Sequence, residues 1–200
     1  MSKSATICFL LTAVVICGAS TASAGMYVSG NFGVVLAEDS HVSDNFDRGK
    51  ISYDAGAVAT VAVGYADGNG LRLEGELGSR YNEMDDFSLA GYGSVNIDGD
   101  VTVGSLMANV FYDFDPRGKV SPFIGAGAGF ANIEADIDHF GSDDDFVFAY
   151  QLAAGISFKV IERMSIDVQY RYFSTEDPEF DGIDAEYATH NIMGGVRFNF

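Results

Sequence analysis

The chain has 200 residues and a formal net charge of −18, with 11 basic residues against 29 acidic ones. Such acidity argues against a nucleic-acid partner, because phosphate binding needs a basic surface. The length suits one domain, and beyond residue 24 no run of eighteen or more apolar residues offers a transmembrane helix, so only a closed barrel could carry that part across a membrane.

The first predicted element is MSKSATICFLLTAVVICGASTASAG, with Lys3, an apolar run from Ile7 to Cys17 and the small triplet Ala22-Ser23-Ala24. This is the pattern of a secretory signal peptide, with cleavage expected after Ala24. The domain division is therefore a cleaved signal peptide over 1–24 and one barrel domain over 25–200. Both cysteines, Cys8 and Cys17, lie in the removed segment, so no disulfide or thiolate chemistry is expected afterwards.

Eight segments then alternate with period two and are rich in β-branched, aromatic or small residues. They are Met26–Ala37, Ala55–Ala66, Leu71–Asn82, Val101–Phe114, Ser121–Ile133, Phe146–Ile161, Met164–Ser174 and Glu186–Phe200. Most reach about ten residues, the length of a tilted membrane-spanning strand. The connections alternate in length. Asp67–Gly70, Asp115–Val120 and Glu162–Arg163 are tight turns, whereas Glu38–Asp54, Glu83–Asp100, Glu134–Asp145 and Thr175–Ala185 are expected as long loops. Short turns at one end and long loops at the other are the habit of an outer-membrane barrel. Most of the acidic residues fall in the long loops, so the charge forms a rim.

Alternation separates two faces. In LRLEGELGSRY, Leu71–Tyr81, leucines occupy one face, and Arg72, Glu74, Glu76 and Arg80 occupy the other. A soluble barrel would turn the leucines inward. Across the segments, however, the polar face holds Gly, Ala, Ser, Asn and Gln with few charges, too sparse for a water-exposed exterior. The reading is therefore inverted: apolar side to lipid, and a lumen network of Arg72, Glu74, Glu76, Arg80, Asp113, Lys159, Asp167, Arg171 and Arg197. Such a network needs near-balanced charge, because an unpaired ion in a low-dielectric interior is costly. Tyr65, Tyr81, Tyr112, Phe114, Tyr150, Phe158, Tyr170, Tyr172, Phe198 and Phe200 share the apolar face, mostly near strand ends, where aromatic girdles sit.

GMYVSGNFG, LRLEGELGSRYN, LMANVFYDFDPRGKVSPFIGAGAGF and GGVRFNF together resemble the small bacterial outer-membrane β-barrel family of opacity-type surface proteins and the OmpA-like transmembrane domain. The resemblance covers essentially everything after residue 24. It implies an assembly signal read by the outer-membrane assembly machinery, carried here by Val196, Phe198 and Phe200. It also implies that the peptidoglycan-binding domain of full OmpA-like proteins is not expected after Phe200.

Catalytic patterns are sparse. His41, His139 and His190 form no His-x-Ser pair, Gly-x-Ser-x-Gly is absent, and the glycines of FIGAGAGFA sit within a strand with no helix after them. DIDHFGSDDD, with Asp136, Asp138, Asp143, Asp144 and Asp145, is the one stretch with cation-binding composition. It lacks the spacing and central glycine of an EF-hand, so solvated acidic loops are the simpler reading. The expectation is an all-β, eight-stranded antiparallel up-and-down transmembrane β-barrel in a bacterial outer membrane, monomeric, with both ends periplasmic. Its expected role is structural, or in surface contact or shielding, without catalysis or cofactor; a narrow channel is the alternative, and a lipid-modifying enzyme comes third. The partners expected are outer-membrane lipids and lipopolysaccharide, with an extracellular or host ligand left open.

Overall fold

The structure is a computed structural model that describes residues 25–37, 40–43, 48–53, 55–89, 93–95, 99–137, 141–176, 179–180, 183–184 and 188–200. Residues 1–24, where the signal peptide is expected, lie outside the described residues. Eight strands build the wall: β1 (Met26–Ala37), β2 (Gly56–Ala66), β3 (Leu71–Leu89), β4 (Gly99–Asp113), β5 (Val120–Ile137), β6 (Gly141–Ile161), β7 (Met164–Thr175) and β8 (Ala188–Asn199). Each pairs antiparallel with the next, and β8 pairs with β1 from Tyr27↔Asn199 to Ala37↔Thr189, which closes the sheet on itself. Closure leaves no unpaired edge along the wall, the condition for a sheet in a medium without hydrogen-bonding solvent.

Period-two alternation decides which side chains go in. Leu73 is 50% exposed while its neighbours Arg72 and Glu74 are 3% and 8% exposed. On β6 and β7, Phe148, Leu152, Ile156, Val168 and Tyr170 face outward, whereas Gln151, Asp167, Gln169 and Arg171 are buried. An apolar exterior around a polar interior inverts the arrangement of a water-soluble barrel.

The tight turns lie where the sequence places them. Asp67–Gly70 joins β2 to β3, with Gly68 and Gly70 at φ of 76° and 115°. The Asp67 carboxylate accepts the backbone N–H groups of Asn69 and Leu71 at 2.7 and 3.0 Å. In the next turn Asp115 caps Gly118, whose N–H donates to its Oδ1 at 3.0 Å. Gly25 and Phe200 share this end of the barrel: the Phe200 N–H donates to the Met26 carbonyl and the Ala66 N–H to the Gly25 carbonyl.

At the opposite end pairing runs further than composition suggests. β3 extends to Leu89, and β5 and β6 stay paired through Glu134↔Asp144, Ala135↔Asp143 and Asp136↔Ser142 to Ile137↔Gly141. The expected loop Glu134–Asp145 is thus the outer part of a hairpin. Ser40–Ser43 and Arg48–Tyr53, within another expected loop, form a ribbon whose second strand pairs with the outer part of β3. Acidic side chains lower the apolar signal, but the backbone ladder does not need that signal once two neighbouring strands are in register.

Candidate functional site: the barrel lumen

Three layers fill the lumen. Nearest the turn end, Arg72 of β3 meets Asp113 of β4 through two bonds of 2.9 Å, Nε to Oδ2 and Nη2 to Oδ1. Arg197 of β8 reaches the same Asp113 at 3.6 Å, and its Nη2 donates to Ser157 at 2.8 Å and to Asp167 at 3.3 Å. The Arg72 guanidinium also sits 4.7 Å from the Phe111 ring and 5.1 Å from the Phe123 ring, so its flat faces meet aromatic carbon while its edges meet carboxylate. Room for Phe111 and for Asn109 comes from β5: a Cβ on Gly125 would strike the Phe111 ring and one on Gly127 the Asn109 amide. The alternating glycines of that strand are therefore space for the inward side chains of β4.

In the middle layer Glu76 receives Arg171 Nη1 on both carboxylate oxygens at 2.6 Å. Gln151 donates to Glu76 at 3.1 Å and to Asn109 Oδ1 at 2.7 Å. Asn109 and the Tyr27 hydroxyl in turn donate to Glu74, at 3.4 and 2.9 Å. Glu74 is held by neutral donors and Glu76 by a cation. Arg80 marks the upper boundary: its Nη1 donates to Ser105 at 3.1 Å and its guanidinium lies 3.7 Å above the Phe173 ring.

The third layer, toward the loop end, is mainly apolar, with Asn82, Ser174, Thr175 and Thr189 buried beside its carbon side chains. Val101, Val103, Met107, Ala131, Ile133, Val147, Ala149 and Phe173 pack as one buried cluster, and Val35, Val58 and Met193 as another. The polar ladder thus opens toward the turn end, where a cavity of about 170 Å³ is lined by Arg72, Asp113, Ser121, Ser157, Lys159 and Arg197.

Of the nine charged residues assigned to the lumen on sequence, eight are buried and one is not. Lys159 is exposed at the mouth, because β6 is there within two residues of its turn and the side chain meets water before it meets a carboxylate. Among the described residues the buried charges are therefore four arginines and four carboxylates, a neutral set. Sequence reasoning passed over Tyr27, Ser105, Asn109, Phe111, Phe123 and Phe173. Parity with Asp113 on β4 marks Ser105, Asn109 and Phe111 as inward, and parity with Arg171 on β7 marks Phe173, but the lumen network expected on sequence holds charged residues only.

The residues expected to carry the assembly signal run along the last strand, with Val196 and Phe198 outward and Phe200 half-buried, its ring 5.5 Å from that of Phe198. Asp136, Asp143, Asp144 and Asp145 lie on paired strand ends with only their backbone described, and Asp138 lies outside the described residues. His190 sits on the outer wall, where its Nδ1 is hydrogen-bonded to the Tyr170 hydroxyl and its ring stands 5.5 Å from Tyr172.

Comparison with known proteins agrees with this geometry. An outer membrane protein of Gluconacetobacter diazotrophicus is 27% identical over 188 residues, which cover 81% of this chain and 50% of that protein. The chain thus spans half the length of that relative. The outer membrane protein PagN of Salmonella typhimurium is 22% identical over 97% of this chain and 98% of its own. Among solved structures, Neisserial surface protein A superposes with a TM-score of 0.59 at 22% identity, covering 88% of this chain and 97% of that one. The outer membrane protease OmpT of Escherichia coli gives 0.56 at 7% identity over 90% and 99%, a likeness of fold alone. Residues 7–200 match the outer membrane protein beta-barrel domain, and with the closed eight-stranded wall, apolar outside and charged inside, the chain belongs to that family of the bacterial outer membrane.

Proposed function

We propose that this protein is a non-catalytic surface or structural protein of the outer membrane, exported on a signal peptide cleaved after Ala24, with its short turns in the periplasm and its acidic loop end outside. The observation that carries the reading is the filled lumen. Eight buried charges neutralise one another in the turn-side half, and the apolar layer around Phe173, Met107 and Val103 closes the loop-side half. An ion crossing that layer would shed hydration for a few neutral side chains such as Asn82 and Thr189, and a cation would also meet Arg80 at its boundary. Eight-stranded barrels leave an interior filled by side chains. The buried carboxylates are engaged by arginines, amides and the Tyr27 hydroxyl, an arrangement that suits a rigid scaffold better than a proton-transfer site. The similar Neisserial protein bears the name of a surface protein, which accords with display of the loop end.

Planar-bilayer recording tests this directly. The expected trace shows no unitary conductance above the empty bilayer. Reproducible single-channel steps would overturn the closed-lumen reading in favour of a narrow channel. Identical lipid A profiles from cells with and without the protein are expected as well; a changed acyl or phosphate pattern would move it to the lipid-modifying enzymes.

A further inference from the structure

We propose that the outer wall at β8, β1, β2 and β3 holds one acyl chain of a phospholipid from the leaflet around the turn end. A groove of about 390 Å³ runs there, lined by Val28, Gly30, Val63, Gly75, Leu77 and Phe198 among others. Its floor is made by missing side chains. A Cβ on Gly75 would touch nothing within 4 Å, and one on Gly30 would meet only the Thr60 carbonyl at 3.9 Å, so packing does not demand glycine at either place. The inward glycines of β5 are the contrast, since each makes room for a neighbour. Ser29 and Glu76 also border the groove, but their polar atoms are engaged on the lumen side with Glu74 and with Arg171 and Gln151. The groove therefore offers contact to carbon and no hydrogen bond.

The surroundings choose the occupant. The groove is continuous with the apolar belt by which this outer-membrane barrel meets lipid, so acyl chains are the medium that reaches it. It descends to Phe198, beside which the Asn199 N–H donates to the carbonyl of exposed Arg163 at 2.8 Å. The backbone thus sets an exposed arginine next to the lower end of the groove, and its guanidinium is the group that would complement a lipid phosphate. A second copy fits less well. Two barrels inserted in the same direction are related by an axis along the membrane normal, so an isologous contact here sets groove against groove and leaves both empty. A flexible chain fills the space and keeps the dispersion contacts a void would forfeit. This inference rests on the membrane placement of the barrel and is independent of the surface role proposed above.

The test is photocrosslinking of the protein, refolded into phosphatidylethanolamine and phosphatidylglycerol vesicles that contain a phosphatidylglycerol with a diazirine in its acyl chain, followed by mass-spectrometric mapping. Adducts are expected in several-fold excess on peptides containing Val28–Gly30 and Gly75–Leu77 over those of β6 and β7. Gly75→Leu, and separately Gly30→Leu, should abolish that excess while keeping the heat-dependent gel shift of a folded barrel. Ala154→Leu on the opposite wall should leave it intact. Equal labelling around the belt, or an excess that survives both glycine variants, would overturn the proposal. Protein–protein adducts at the groove in place of lipid adducts would overturn it in favour of a second copy.

Discussion

Glu76 and Arg171 meet at 2.6 Å with both side chains almost wholly removed from solvent, so each depends on the other. Removing one member of a buried pair leaves an uncompensated charge, and Glu76→Gln is expected to lower the unfolding free energy by about 3–5 kcal/mol. Glu74→Gln gives the contrast. Its carboxylate is held by the Tyr27 hydroxyl and the Asn109 amide, so the loss should be on the order of 1 kcal/mol, the size of one altered hydrogen bond. Urea midpoints of the two variants in lipid vesicles, read by gel shift, would show whether the ladder is so partitioned. On the other face Val168 and Ile156 sit opposite each other on β7 and β6, both outward. Either changed to Arg should cost roughly 2–4 kcal/mol near the midplane and reduce the inserted fraction on refolding into vesicles. That these two face away from Asp167 and Gln169 was readable from strand parity. That Lys159 would end in water was not, because parity places a residue on a face and says nothing of its height along the barrel.

At the level of the element, the β2–β3 turn carries specific chemistry. Gly70 has φ of 115°, and a Cβ there would press on the Asp113 carbonyl, so Gly70→Ala should destabilise the hairpin by about 1–3 kcal/mol. Gly68→Ala, in open space at φ of 76°, should cost less. Slower refolding and a lower urea midpoint are the measurements. The N–H of Asn69, and with it that of Leu71, holds the Asp67 carboxyl below its ordinary value of 3.8. A depressed carboxylate pKa means that the contribution is present above the ordinary value and is lost as pH falls through the lower folded value. The gap in urea midpoint between the native chain and Asp67→Ala should therefore be open at neutral pH and narrow below pH 3.8. The turn was legible because Asp-Gly-Asn-Gly is turn chemistry in any context. The outer reaches of β3, β5 and β6 were not, since their acidic residues look like loop until a paired neighbour is known.

For the whole molecule, closure makes the fold cooperative, because opening any one seam exposes a row of backbone groups to lipid. The folded barrel should resist sodium dodecyl sulfate unheated, shift on heating, and run as a monomer in a mild detergent. A chain that stayed soluble without detergent and showed no shift would contradict the membrane placement. We expect removal of Phe200 to slow assembly more than it lowers the stability of the barrel once formed. Its ring stands edge-on to that of Phe198, and its N–H adds one bond, to Met26, beyond the last strand. Pulse-labelled appearance of the heat-shifted form, set against the urea midpoint of the same variant, would separate the two effects.

Taken alone, the sequence determined the eight strands, the end at which the turns are short, and the face of each strand that meets lipid. All three follow from local period-two alternation and from Gly, Asp and Asn at turns, which act over a few residues. Only the tertiary structure decided which charge meets which. Arg72 finds Asp113, Arg171 finds Glu76 and Arg197 bridges Asp113 and Asp167, pairings set by the stagger between strands and separated by 30 to 95 positions in the chain. The apolar layer over the ladder and the groove outside Gly30 and Gly75 belong to the same class. Both arise where residues from four or more strands come to one height, a quantity that depends on closure and shear and not on any single segment.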